Sequence, residues 1–189
     1  MKRSLLAAAA LTVMAGQAIA AEEFTAKLAG HAILPAETFL PAPADAPADL
    51  KVSGKFTTAK RVDAIGSVMG KSAGRPTGVS VPFQGQPVQG HSGIKVMQDG
   101  SFWLLTDNGF GAKANSPDVM LFLNRYMVDW NAGSFARQET IFLSDPNKVV
   151  PFRIANEATD TRYLTGSDFD TEGFPVSYTH LTLPTKRIV

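Results

Sequence analysis

The chain has 189 residues, no cysteine and a formal net charge of +1. Disulfides are excluded, so an ordered fold has to be held by its core alone. Lys2, Arg3, Lys186 and Arg187 lie in the terminal segments, and residues 21–175 carry 14 basic against 17 acidic residues, a balance of −3 with no basic run. Such a segment offers no electrostatic footprint for nucleic acid or anionic lipid.

The N-terminus has Lys2 and Arg3, an apolar run from Leu5 to Ala15, and the small-x-small triplet Ala18-Ile19-Ala20. That order predicts a secretory signal over residues 1–20, cut before Ala21, and a periplasmic or secreted product. The apolar run falls short of the roughly 20 residues that a membrane-crossing helix needs, so no span is expected. Residues 21–54 are rich in Pro and Ala. Pro35, Pro41, Pro43 and Pro47 bar a regular helix or an inner strand, leaving an extended linker or an edge-hugging segment.

From Lys55 the pattern turns β-like, over 55–65, over 78–83, and then in a clear run from Ser92. Ile94-Lys95-Val96 and Phe102-Trp103-Leu104-Leu105-Thr106 flank Asp99-Gly100, a strong hairpin signal because Gly tolerates the positive φ of a tight turn. A third strand is expected from Val119 to Val128 and a fourth from Arg137 to Leu143, with a turn at Asn131-Ala132-Gly133-Ser134. Successive strands joined by short turns describe one propeller blade, and the run from Leu164 reads as the entry to the next. The expected fold class is therefore all-β, an incomplete β-propeller of about one to two four-stranded blades over residues 55–175. A small β-sandwich complete in itself is the alternative.

Residues 176–189 resemble the translation of a transposon-adapter sequence used in preparing DNA libraries. On that reading they are not natural protein, and the propeller domain is truncated near Pro175.

Two polar clusters lie where strands should end. The first, Thr106-Asp107-Asn108-Gly109-Phe110-Gly111, can offer hard oxygen ligands to a cation, with glycines that let the backbone turn closely; an ordinary Asx turn would look the same. The second, Asp168-Phe169-Asp170-Thr171-Glu172, places carboxylates at alternate positions, on one face if the segment is a strand. Three such carboxylates repel one another unless a cation or protons relieve them, which points to a Ca²⁺ site, a coupled acid/base group, or a solvated edge. Gly90-His91-Ser92-Gly93 invites a nucleophile reading, but Ile94 breaks the G-x-S-x-G elbow.

Several stretches in unbroken order resemble the esterase-like phytase family of bacterial exported proteins. They are Gly90 to Ile94, Asp99 to Ser116, Leu143-Ser144-Asp145-Pro146 with Val150-Pro151-Phe152, and Leu164 to Glu172. The resemblance implies a β-propeller that hydrolyses ester or phosphoester bonds of a small molecule with help from a divalent cation, Ca²⁺ being the candidate. It also implies Asp107, Asn108 and Glu172 as metal ligands, and Asp168, Asp170 and Glu172 as the carboxylates that carry or support the chemistry. Glu172-Gly173 is similar to the metal-binding glutamate near the axis of lactonase-type propellers. Where the family usually has Asp-Pro-Glu-Ser-Phe, this chain has Asp170-Thr171-Glu172-Gly173-Phe174, which keeps the carboxylates and loses the stiffening proline. A chain ending inside this motif is expected to be inactive alone. The rival readings are a propeller that binds without catalysis and a lactonase-like enzyme.

Overall fold

The computed structural model describes residues 25–171 and 173, apart from residues 89 and 108. The expected signal segment 1–20, the tail 176–189, Asn108 and Glu172 thus lie outside the described residues. The fold is all-β. Among the described residues helix is confined to two short 3-10 turns, Ala48–Leu50 and Lys113–Asn115, and no helix is long and apolar enough to cross a membrane.

The largest sheet has four strands: β7 (His91–Val96), β8 (Phe102–Thr106), β9 (Phe122–Asp129) and β10 (Ser134–Phe142). They pair antiparallel in chain order, β10-β9-β8-β7. Local chemistry sets its turns. Gly100 adopts φ +82° between β7 and β8, and the Asp99 carboxylate accepts from the Ser101 N–H at 3.0 Å and pairs with Arg125 on β9. Between β9 and β10 the Asp129 carboxylate accepts from the N–H groups of Asn131 and Ala132, each at 2.9 Å. These are the side-chain turns that Asp favours. Burial alternates along β9, with Phe122, Asn124 and Tyr126 inside, as the two-residue period of a strand requires.

Earlier in the chain lie β1 (Phe39–Leu40), β2 (Val52–Ser53), β3 (Val68–Ser72), β4 (Arg75–Val81), β5 (Phe83–Gln84) and β6 (Gln86–Pro87). They form three two-stranded sheets, β1-β6, β2-β5 and β3-β4, and no sheet among the described residues closes on itself.

The Pro/Ala-rich segment packs into the core. Its Leu40, Ala46 and Leu50 are buried with Val88, Met120, Phe122 and Tyr163, and the Tyr163 hydroxyl donates to Asp45 at 2.9 Å. A second cluster joins Leu121, Ile154 and Leu164, with Leu143, Val150 and Phe169 against them.

Two expectations of strand placement are corrected. Residues 55–65 form turns. The Thr57 and Thr58 hydroxyls donate to the carbonyls of Gly54 and Lys60, a local bonding that competes with a ladder, and the Lys55 N–H is taken by the Asp118 carboxylate at 2.8 Å. The third strand starts at Phe122 because residues 119–121 pair elsewhere. Leu121 donates to Leu164 O at 2.9 Å, Gly166 donates to Val119 O at 2.9 Å, and Met120 bridges Thr165.

Gln86 is fully buried where these parts meet. Its amide donates to Leu50 O at 2.6 Å and to Asp118 O at 3.0 Å, and its carbonyl accepts from the Met120 N–H at 2.8 Å. The loop from 144 to 163 is organised by another buried polar group, Arg162, whose guanidinium reaches Asp145 Oδ2 at 3.0 Å and Glu157 Oε1 at 2.7 Å. Burial alone would raise the Asp145 carboxyl, but the N–H groups of Val149 and Val150 together with Arg162 hold it below the usual carboxylate range. Glu157 is lowered by the Ile154 N–H and then by Arg162.

Two outcomes follow. Gln86→Leu leaves two carbonyls and one N–H buried without partners, and urea unfolding should show a loss of about 3 kcal/mol. Because Asp145 and Glu157 are depressed in the folded state, they bind fewer protons there than in the unfolded chain. Their stabilisation is present above the unfolded carboxylate range of about 4 and is lost as pH falls further, through their depressed folded-state range. Urea midpoints measured from pH 6 down to pH 3 should therefore fall less steeply for Asp145→Asn than for the parent sequence, from a lower starting value.

Candidate functional site

The first polar cluster follows β8 directly. Phe102 to Thr106 is a run of strand-forming residues whose last three are buried, and the chain must turn where it meets Asp107. The Asp107 N–H donates to Gly90 O at 2.6 Å, which extends the β7-β8 pairing one step beyond the strands. Gly90 has φ +57°, and a Cβ there would lie 2.9 Å from the Asp107 Cβ, so a side chain at 90 would push Asp107 aside.

Gly109, at φ +92°, lies against Val119, where a Cβ would come within 2.5 Å of a Val119 methyl. The loop is closed by Ser116, whose hydroxyl accepts from the Phe110 N–H at 3.3 Å and donates to Ala112 O at 2.9 Å. Asp107 is thereby half-buried at the rim of a firmly held turn.

The second cluster is brought to the first. The Thr171 hydroxyl donates to Thr106 O at 2.6 Å, and the Ser167 hydroxyl donates to Lys113 O. Two stretches about 60 residues apart in sequence thus share one surface, held by side-chain hydroxyls on backbone carbonyls.

The premise of a strand through Asp168 gives way to a turn at residues 166–168. Asp168 is 7% exposed, and both its oxygens are occupied: Oδ1 accepts from the Ala155 N–H at 2.7 Å, and Oδ2 from the Thr165 N–H at 2.8 Å and the Thr165 hydroxyl at 3.0 Å. Such a carboxylate shapes the loop. Asp170 is exposed to solvent.

Among the described residues no group of three or more His, Cys, Asp or Glu side chains lies close enough to hold a metal ion. Two of the five sequence-predicted residues, Asn108 and Glu172, fall outside that set. Asp107 supplies a carboxylate of the hard-oxygen type that suits Ca²⁺ or Mg²⁺, whereas Asp168 is already committed to N–H and O–H donors.

Sequence reasoning gave no role to Thr171 or Ser167, because a hydroxyl that ties two distant loops leaves no local pattern. His91 pairs across from Thr106, and its ring lies edge-on to Tyr126, 6.3 Å between centroids. By strand alternation it shares the face of Thr106 and Tyr126, opposite to the face that the next residue, Asp107, would take. Desolvation lowers the His91 pKa, which favours the neutral ring.

Asp168→Ala removes three accepted hydrogen bonds and should cost about 2 kcal/mol in urea unfolding. Thr171→Val removes one and should cost about 1 kcal/mol. Hydrogen exchange of the 106–111 amides checks the linkage of the loops: Thr171→Val should speed it more than Asp168→Ala does.

Comparison with known proteins places these features in a family. The curated proteins and the solved structures gave no match. Residues 86–181 match the model of the Phytase-like family, described as esterase-like activity of phytase. The matched region holds the whole four-stranded sheet and both polar clusters. With about half of its length covered by that model and its two polar loops joined within the matched region, the chain belongs to the Phytase-like family.

Proposed function

We propose that the chain is part of an exported β-propeller hydrolase that cleaves an ester or phosphoester bond with the help of a divalent cation, Ca²⁺ being the candidate. The observation that carries this reading is the junction of the two polar loops inside the family match, through Thr171 on Thr106 and Ser167 on Lys113.

The propeller reading rests on the four-stranded antiparallel sheet in chain order, which is the unit that a propeller repeats. One face of that sheet also leaves apolar side chains uncovered. Ile94 and Val96 are each 63% exposed, and Trp130, edge-on to Phe102, is 55% exposed. A neighbouring blade would cover them. Export is supported by the order of charges, apolar run and cleavage triplet in residues 1–20.

In this reading Asp107, Asn108 and Glu172 would hold the cation, which would supply Lewis-acid polarisation of the ester oxygen and a more acidic water. Asp170 stands at the exposed side of the same segment, and Asp168 acts as a positioning residue that fixes Thr165 and Ala155 below it.

The test is turnover by the full-length parent of a phosphomonoester, phytate and a short-chain ester, with and without EDTA. Activity should fall with EDTA and return with Ca²⁺, and Asp107→Asn should lower kcat/KM by about 100-fold, as loss of a charge-stabilising group does. No turnover of any of the three substrates sinks the proposal.

A further inference from the structure

The hairpin β3-β4 stands over a cleft of about 740 Å³ that no motif in the sequence pointed to. Its floor is apolar, made by Val81, Phe83 and Phe110. The floor is also braced: the Phe83 ring lies 4.9 Å from Phe39 and 6.0 Å from Phe110, and Gly54 beneath them lets Val81 and Phe110 approach within 3.3 and 3.5 Å of where its Cβ would be. The wall is held tight by Gly70, where an added Cβ would meet Val79 O at 2.5 Å, so the two strands cross closely there.

The rim has a different chemistry. Thr57, Ser67 and Thr77 bring hydroxyls to it, and among the described residues that line the cleft Lys71 carries the one charge. The volume falls in the range of small-molecule sites, which join an apolar lining to a few placed polar groups. Phe110 connects this cleft to the functional loop, because it stands three residues after Asp107 in the same closed turn.

We infer that this cleft is the subsite for the apolar body of an anionic ester, with an aryl or alkyl group on Val81, Phe83 and Phe110 and its anionic group toward Lys71. The inference rests on the hydrolase reading above and narrows it. A cyclitol carrying many phosphates matches neither the apolar floor nor a single cation, since each unpaired phosphate brought against the floor loses its hydration. The preferred substrate is therefore an amphiphilic monoester.

Calorimetric titration of the 189-residue chain tests the cleft without requiring turnover. The probes are 1-naphthylmethylphosphonate, whose C–P bond resists hydrolysis, its neutral counterpart 1-naphthalenemethanol, and phytate. The phosphonate should bind more tightly than either of the others. Lys71→Ala, at an exposed position, should weaken the phosphonate by about fivefold and leave the alcohol unchanged. Phe110→Ala should weaken both aryl probes by about tenfold, and Phe110→Leu, which keeps most of the apolar volume and guards against a folding defect, by less. Phytate binding more tightly than the phosphonate, no binding of the phosphonate, or aryl binding indifferent to both positions overturns the inference. Ester turnover by the full-length parent alongside any of those results would leave the hydrolase reading standing and remove only the cleft.

Discussion

The amide of Gln86 is where the parts of this fold are joined. It is buried, it belongs to a strand of only two residues, and it bonds to the backbone of Leu50 on one side and of Asp118 and Met120 on the other. A buried amide has to satisfy its donors and acceptor, and here it does so by tying its own strand to two other stretches of chain at once. The Lys55–Asp118 pair lies beside it, with both side chains almost fully buried and 3.7 Å between charges. Burial raises the Asp118 carboxyl, and the Lys55 N–H and charge oppose that rise. A pair of this kind adds little net stability by itself, but it is costly to break on one side. Together they hold the N-terminal segment against the loop that leads into β9.

From that junction the functional surface is reached in two steps. Residues 119–121 leave Gln86 and Asp118, and Leu121 bonds through its backbone to both Leu143 and Leu164, which also bond to each other. This delivers Thr165 and the following turn to the end of β8, where Asp168 locks the turn and Thr171 bonds to Thr106. Arg162 performs the parallel task for the long loop before it, pairing with Asp145 and Glu157 so that Tyr163 and Leu164 enter the core. The polar loops therefore meet because apolar residues on either side of them are buried in two clusters. Cleft and loops share one support as well, since Phe110 is at once part of the Asp107 turn and part of the aromatic floor.

How much was legible depended on the range of the interaction. The β7-β8 and β9-β10 hairpins were readable because Asp99-Gly100 and Asn131 to Ser134 carry their own turn chemistry, with donors and acceptors a few residues apart. The β-rich runs of β8 and β9, the carboxylates at Asp107, Asp168 and Asp170, and the family resemblance were equally open to reading, because each is a pattern along the chain. The roles of those carboxylates were less so. Asp168 fits an alternating strand on paper, but its nearest donors come from Thr165 and Ala155, and the second of these is not a neighbour in sequence.

The sequence by itself determined an all-β chain with two hairpins, a polar loop at the end of β8, a second carboxylate-rich cluster and membership of a hydrolase-like family. The tertiary structure decided the rest: that the Pro/Ala-rich segment is core, that 55–65 turns away from a sheet, that β9 starts at Phe122, and that the two polar loops meet. Each of these hangs on a partner far along the chain, Tyr163 for Asp45, Asp118 for Lys55, Leu164 for Leu121 and Thr106 for Thr171. Local propensity is overruled where such a partner buries a polar group with its bonds satisfied, and no short window of sequence contains both halves of that contact.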